Sequence, residues 1–438
     1  MNAQFAKGDK VQLQANKKEA LIREFLGAGG QGEVYSLDFL GNPLALKWYF
    51  PHTAIAAQKK SLQLLIQKGA PGKDFLWPLD LAYKTNSSLF GYVMRLREGR
   101  YKSLLELMQA RIDPDFKTLS KTGIRLAANF LQLHSLGLCY RDISFGNLFF
   151  DPQNGEILIC DNDNVGIDGE SISTVLGTPR FMAPEIVRGD ATPSIHTDLF
   201  SLSVLLFYMF FIHHPLEGKR ESEIRCLDMP AMRSIYGSQP LFIFDPQDSS
   251  NRPVKGIHDT VLSFWPLYPV FFKEKFIQAF TTGLSASGSS RVRESEWVHT
   301  LFSLLDSIFN CSQCGVENFY KENGPGKCWN CQTPLTALPY LQLDTGRLPI
   351  QPGKKLYRFH LGEHEPEAML EPMASVEQHP EKEGITGLKN MTESSWECFN
   401  VRGEKNPVPP GKSVHLLPEM KIHFKDFEGR VCSPDAEI

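Results

Sequence analysis

Asp142 and Asn147 stand five residues apart in the stretch Tyr140-Arg141-Asp142-Ile143-Ser144-Phe145-Gly146-Asn147, and Asp161-Asn162-Asp163 follows at a distance. These residue types suit the handling of a phosphoryl group. A carboxylate can orient a hydroxyl and take its proton, an amide five residues on can hold a metal ion, and a later carboxylate can complete that ion's coordination. A D-x-x-x-x-N spacing by itself arises often by chance. It gains meaning only if a glycine-rich loop, a lysine and a substrate-seating segment surround it in the right order.

The first two lie upstream. A short β-type run over 22–25 leads into Leu26-Gly27-Ala28-Gly29-Gly30-Gln31-Gly32-Glu33-Val34-Tyr35, and β-type residues then resume. Gly27, Gly29 and Gly32 form a G-x-G-x-x-G between two strands, with Val34 two residues on. Such a hairpin brings backbone N–H groups close to phosphates with no Cβ in the way. A dinucleotide-binding fingerprint would instead open a helix and place an acid about 20 residues later. Here a further strand is expected over 43–49, carrying Lys47 among apolar residues, fifteen positions after Gly32. Alone, the glycines would read as an ordinary turn and Lys47 as a snorkelling edge lysine. Their order and spacing favour a phosphate clamp.

Other elements must position these groups. Apolar spacing at Leu62, Leu65 and Ile66 predicts a helix over 53–68. A phosphate-gripping lysine normally takes its counter-charge from a helical Glu. No Asp or Glu occurs between Trp48 and Lys73, so Gln58, Ser61 or Gln63 can offer hydrogen bonds only. Strands are expected over 75–82 and 89–96, the second ending near Met94, where the chain crosses to another lobe. Helices are expected over 103–110 and 118–136, the latter carrying Ile124, Leu126, Phe130, Leu131 and Leu133 and stopping at Gly137. Strands over 147–151 and 156–160 flank a turn and deliver Asn147 and Asp161 to the same end of a hairpin.

Downstream come Gly177-Thr178-Pro179-Arg180-Phe181-Met182-Ala183-Pro184-Glu185 and His196-Thr197-Asp198-Leu199-Phe200-Ser201-Leu202. With these, residues 20–308 resemble a eukaryotic-type protein kinase domain. The resemblance implies ATP and Mg²⁺ (or Mn²⁺) as cofactors and protein serine or threonine hydroxyls as acceptors. By it, Gly27, Gly29, Gly32, Val34, Ala45 and Met94 surround the nucleotide and Lys47 grips its α- and β-phosphates. Asp142 is the catalytic base, and Asn147 with Asp161 holds the metal. Glu185 pairs with Arg291, Asp198 caps a buried helix over 199–212 and braces the catalytic loop, and Thr178 positions substrate. Arg141 would meet a phosphate on the activation segment, with Ser171, Ser173 and Thr174 as autophosphorylation candidates.

The departures from that pattern are local. Tyr140 stands where the family usually has His, Ser144 where it has Lys, and Asn162-Asp163 where it has Phe-Gly. Asp161 is preferred as metal ligand because it directly follows a strand; Asp163 is the alternative ligand, or else a solvated loop carboxylate. An active Ser/Thr kinase is the first reading, and a pseudokinase or scaffold is the alternative. A small-molecule kinase would have no use for the substrate platform at 177–185.

Cys311-Ser312-Gln313-Cys314 and Cys328-Trp329-Asn330-Cys331 are two C-x-x-C pairs thirteen residues apart, joined through Gly324-Pro325-Gly326. Four thiolates on two tight turns suit a closed tetrahedral Zn²⁺ site, structural because no position stays open. A redox pair would need a βαβ setting, which neither has. The segment 309–336 resembles a zinc ribbon.

Beyond residue 337, short β-type runs at 355–361, 387–388, 396–401, 413–417 and 420–424 suggest a small β-sandwich. Its Gly387–Trp396, Pro410–Val414 and 421–424 stretches are similar to forkhead-associated domains, which implies phosphopeptide binding, with Ser375 and His379 as partial candidates; an adaptor β-domain without phosphate binding is the alternative. Glu363, Glu365, Glu367, Glu371, Glu377, Glu381 and Glu383 read as a solvated face.

The expected architecture is α+β: an extension over 1–19, a bilobal kinase fold (20–96 and 97–308), a zinc ribbon and a C-terminal β-sandwich over 337–438. At 438 residues, 42% hydrophobic and net charge −4, the chain lacks the basic excess of a nucleic-acid binder. The apolar run 199–212 falls short of the roughly 18–20 residues a bilayer crossing needs, so no membrane partner is expected. The polar start and nine cysteines without a disulfide pattern suggest a cytoplasmic setting. Kinase, ribbon and β-module together resemble the kinase of bacterial tellurite-resistance-associated phosphorylation triads, which implies a metal-dependent protein phosphatase and a von Willebrand A-type protein as partners.

Overall fold

Alternation of apolar and polar residues rolls the N-terminal strands into a closed barrel. The computed structural model describes residues 4–169, 176–284, 290–321, 324, 326–382, 384–424 and 427–434. Strands β1 (Lys10–Leu13), β2 (Glu19–Ala28), β3 (Gly32–Phe39), β4 (Asn42–Tyr49), β5 (Asp80–Tyr83) and β6 (Phe90–Arg95) close in the order β1-β2-β3-β4-β6-β5. Val11, Leu13, Ala20, Ile22, Tyr35, Leu37, Leu46 and Trp48 point inward at period two and fill it. β1 pairs with both β2 and β5, so the stretch before residue 20 is part of this barrel, not an extension outside it.

Helix α1 (Ala56–Lys68) lies against the barrel and buries Leu62 and Leu65. The strand expected over 75–82 forms only at its end. Pro78 has no N–H to give a ladder, and residues 74–76 pair elsewhere: Leu76 N–H donates to the Ile159 carbonyl and Ile159 N–H to that of Asp74, both at 2.8 Å.

The second lobe is helical. Helix α2 (Phe116–Ser135) starts at Asp115, whose carboxylate accepts the Thr118 N–H, and ends before Gly137, whose φ of +68° is the left-handed stop expected there. Strands β7 (Leu148–Phe150) and β8 (Ile157–Ile159) pair antiparallel, as the sequence suggested. Helix α3 (Ile195–Phe211) is buried all round from Thr197 onward, which explains its unbroken apolar run. It begins four residues earlier than expected. Its cap is Ser194, in a reciprocal box with Thr197, so Asp198 is not the cap and its carboxylate is left for other work. Helix α4 (Glu294–Ser307) packs along α2.

A two-stranded hairpin, Ile308–Asn310 with Glu317–Phe319, follows and carries the first cysteine pair at its tip. After it, a six-stranded and a four-stranded antiparallel sheet share one core of Leu341, Leu348, Leu356, Val376, Leu388, Trp396, Ile422 and Phe424. Five strands went unforeseen: Tyr340–Leu343, Gly346–Pro349, Pro372–Gln378, Lys405–Val408 and Phe427–Cys432. The 355–361 run is a strand only to Tyr357 and then turns as a short helix, Arg358–Leu361. The described acidic residues there are solvent-facing as expected: Glu365, Glu367, Glu371 and Glu381 are exposed and Glu363 and Glu377 half-exposed, with surface pairs from Glu371 to Arg358 at 2.7 Å and from Glu377, in a strand, to Lys389 at 3.2 Å. Glu383 lies outside the described residues.

Candidate active site

The register β3–β4–β6 sets the residues expected around a nucleotide next to one another. Val34 pairs with Lys47, Lys47 with Tyr92, and Ala45 with Met94. Gly32 is required by this sheet itself, since a Cβ there would sit 2.2 Å from the Trp48 carbonyl oxygen. Gly27 and Gly29 have open space where a Cβ would be, which leaves the loop's face clear for a ligand.

Lys47 is buried, yet it is not short of charge. Its ammonium donates to Asp163 at 2.9 Å and to the Gln31 side-chain oxygen at 2.8 Å, and lies 3.4 Å from Asp161. Burial pulls the lysine pKa down, but the carboxylates of Asp163 and then Asp161 outweigh it and hold it above the ordinary lysine range. Tyr49 and Tyr92 hydroxyls also donate to Asp163, at 2.6 and 3.0 Å. Asp163 is therefore a buried, fully bonded carboxylate, which rules out the solvated loop residue that was one of its two readings. Gln58 joins this network, though not at Lys47: it donates to the Tyr49 hydroxyl at 3.1 Å and to the Asp163 carbonyl at 3.2 Å.

Asp161 has φ +51°, and its side chain stays 40% exposed. Burial of its surroundings raises its pKa, with Lys47 opposing. Asn147 lies just before β7 and Asp161 just after β8, and Cys160 N–H donates to the Asn147 carbonyl at 2.8 Å, so the hairpin brings the two together. Asn147 turns its amide nitrogen onto Asp142, at 2.8 Å from its carbonyl and 3.3 Å from its carboxylate. Thr178 holds the other Asp142 oxygen from 2.8 Å. The base candidate is thus clamped on both sides by side chains that orient it.

The loop is fixed from below. Asp198 accepts the backbone N–H groups of Tyr140 and of Arg141 (3.0 Å) and a ring nitrogen of His134 at 3.2 Å. The other ring nitrogen of His134 meets Glu294 at the start of α4. Tyr140 is buried, and its hydroxyl donates to the Cys160 carbonyl, tying this loop to the one that carries Asp161. Ser144 is buried and brings no charge. Arg141, at φ +74°, packs on Gly166, where any Cβ would lie 2.0 Å from its guanidinium. Ser171, Ser173 and Thr174 lie outside the described residues.

Glu185 and Arg291 meet at 2.7 Å, both buried, and Arg291 also donates to the His196 carbonyl at 2.6 Å. Arg291→Ala strands a buried carboxylate and should cost about 3–5 kcal/mol of stability. Denaturant unfolding reads this directly; a loss below about 1 kcal/mol, the range of exposed pairs, would contradict it.

The four cysteines converge. Their sulfurs all lie within 4.8 Å of one another, with Cys311 to Cys331 at 3.7 Å and Cys314 to Cys328 at 3.6 Å. The two turns have one geometry. In each, the residue after the second cysteine is left-handed (Gly315 at +74°, Gln332 at +61°), and its N–H returns to the first cysteine's carbonyl. Such a cluster is able to chelate a metal.

In the C-terminal sheets, Ser375 sits mid-strand and His379 one residue past that strand's end. An extended strand separates them by about 13 Å, too far to grip one phosphate together.

Sequence reasoning missed Gln31, Tyr49, Tyr92 and Asp163 as the surroundings of Lys47. The absent helical acid was the signal that some other carboxylate had to be found. Tyr49, two residues on, shares the lysine's face of the strand.

The chain belongs to the protein kinase family: the model of the protein kinase domain matches residues 22–266. Among curated proteins it is similar to one of Zea mays named "Probable serine/threonine-protein kinase CCRP1" (27% identity over 225 residues, 47% of this chain and 35% of that protein). It is also similar to atypical protein kinase C of Drosophila melanogaster (32% over 157 residues, 35% and 25%) and to protein kinase C delta type of Homo sapiens (31% over 231 residues, 48% and 31%). The chain therefore spans about a quarter to a third of the length of these relatives. No helix among the described residues is long and apolar enough to cross a membrane.

Proposed function

We propose that the chain is an ATP-dependent protein kinase that transfers the γ-phosphate to serine or threonine hydroxyls of proteins, itself included. The observation that carries this reading is the clamped Asp142, held by Thr178 and Asn147 beside the loop that bears Asp161. Lys47 supplies positive charge to the phosphates, and the glycine loop covers them with backbone N–H groups. Asp142 orients the acceptor hydroxyl and takes its proton as the oxygen–phosphorus bond forms, while the bond from the γ-phosphorus to the β–γ bridging oxygen breaks and ADP leaves. Asn147, whose amide nitrogen is committed to Asp142, offers its oxygen with Asp161 as the donor pair for Mg²⁺ or Mn²⁺. Bound there, the ion would neutralise charge on the phosphates. The segment 177–185, anchored by Glu185–Arg291, is the protein-substrate platform.

Incubation with γ-labelled ATP, a divalent cation and generic protein substrates should place label on serine and threonine. Incorporation no greater than that by Asp142→Asn protein would refute the kinase reading and leave the scaffold alternative.

Zn²⁺ is the metal proposed for the cysteines, in a module of zinc-ribbon type. A tetrahedron with Zn–S bonds near 2.3 Å has sulfur–sulfur edges of about 3.8 Å, close to the two short separations found. Metal analysis should find about one zinc per chain, lost on replacing Cys311 and Cys328 together by serine; unchanged zinc content would refute the site.

The two C-terminal sheets with their shared core support a β-sandwich. Its likeness to forkhead-associated domains and the partnership with a phosphatase and a von Willebrand A-type protein rest on resemblance. The cytoplasmic location rests on composition.

A further inference from the structure

Lys47 is an interior cation in a protein whose neighbouring helix offers no acid. The α1 sequence, Ala56 to Lys68, contains neither Asp nor Glu. An unpaired ammonium at that depth would be strongly destabilising, and one free to wander would not hold a phosphate in register. The pocket around Asp163 answers both needs. One carboxylate oxygen takes the Lys47 ammonium and the Tyr92 hydroxyl; the other takes the Tyr49 hydroxyl. Burial, reinforced by the adjacent carboxylate, keeps both phenols well above their ordinary pKa, so they remain donors.

Strand register brings the lysine and the two phenols together. Tyr92 pairs across the sheet with Lys47, and Tyr49 is the next residue on the same face. Asp163 reaches them from the short turn Asn162–Asn164, directly after Asp161. The two acids are thereby divided: the Asp161 side chain stays 40% exposed, whereas the Asp163 side chain is entirely shielded. The Asp163 main chain is in turn latched to α1 by Gln58.

We propose that Asp163 is the positioning residue for Lys47. It supplies, from the start of the activation segment, the counter-charge that a helical glutamate would otherwise provide. The lysine is then aligned by the turn that carries Asp161, and alignment does not wait for a helix carrying an acid to swing inward. This rests on the phosphotransferase reading of the site.

The test is a charge relocation in the full chain. Asp163→Asn keeps the shape and removes the charge; Asp163→Asn with Gln58→Glu returns a carboxylate from α1, next to Tyr49. Affinity for a fluorescent ADP analogue is titrated alongside kcat and KM for ATP, and circular dichroism checks folding. Asp163→Asn should weaken nucleotide affinity about tenfold and lower kcat about 100-fold, and the second change should restore at least about tenfold of the loss in kcat. Affinity and kcat within about threefold of the wild type would overturn the proposal. A loss that Gln58→Glu fails to restore would assign Asp163 a merely structural role and overturn it equally. ADP binding needs no turnover. A wild type that binds ADP but transfers no phosphate refutes the kinase reading, and the binding arm still decides the role of Asp163.

Discussion

Asp142→Asn is expected to slow phosphoryl transfer by about 10²–10⁴-fold. Nucleotide affinity should stay within about threefold of the wild type. Asparagine has nearly the same shape, so its side chain can still accept from Thr178, and the loop keeps its course. What disappears is the negative charge and the ability to take the acceptor's proton. The residue is only half-buried, so its replacement is expected to act on the reaction and not on the core. Single-turnover transfer of labelled phosphate, with nucleotide affinity titrated in parallel, separates the two quantities. A fall in affinity equal to the fall in rate would place Asp142 in nucleotide binding instead of proton transfer.

Asp198→Ala should lower stability by about 3–5 kcal/mol, because a buried charge partner is removed and three donors are left behind. The donors are the N–H groups of Tyr140 and Arg141 and the ring of His134. With the loop released, phosphoryl transfer should fall by about 10²-fold even in the molecules that remain folded. A pH signature accompanies this. Burial alone would depress His134, but hydrogen bonds to Asp198 and Glu294 overcome it and hold the imidazole up at about 9, against 6.5 when free. The folded protein thus binds a proton more tightly than the unfolded chain. That stabilisation is complete below about pH 6.5 and is lost as pH rises through about 9. Melting temperature should therefore decline across this window in the wild type and decline less in Asp198→Asn, which weakens the hold on the imidazolium. Parallel pH profiles for the two proteins would contradict the assignment.

Much of this site was legible in the residues. Lys47, Asp142, Asn147 and Asp161 were singled out by type and spacing, and they do converge, because local strands fix the distances. The hairpin that joins Asn147 to Asp161 could be read from one turn. Asp163 was misjudged because its fate depends on Tyr49 and Tyr92, which are 114 and 71 positions away in the chain. The partner of an interior charge is set by tertiary register, which no local pattern carries. The cap of α3 was missed for a smaller reason: Ser194 and Asp198 both suit an N-terminus, and only the reciprocal bond with Thr197 decides between them. In the C-terminal sheets, strands such as Lys405–Val408 are mostly exposed and short, so alternation had little to show.

Helix α4 joins two of these regions. At its first residue Glu294 holds His134, and through it the brace beneath the catalytic loop. At its other end Lys354, from the C-terminal sheets, donates to the carbonyls of Leu305, Asp306 and Ile308 at 2.7–2.9 Å, while His360 bonds Asp306 at 2.8 Å and Phe359 stacks on Phe302 at 3.8 Å. Fourteen residues of helix make a strut about 21 Å long. Cutting the chain after residue 308 would strip that strut of its end cap and uncover Phe302, so the catalytic part is not a unit that can be excised cleanly. The last hundred residues act as masonry at the far end of a beam whose near end bears on the catalytic loop.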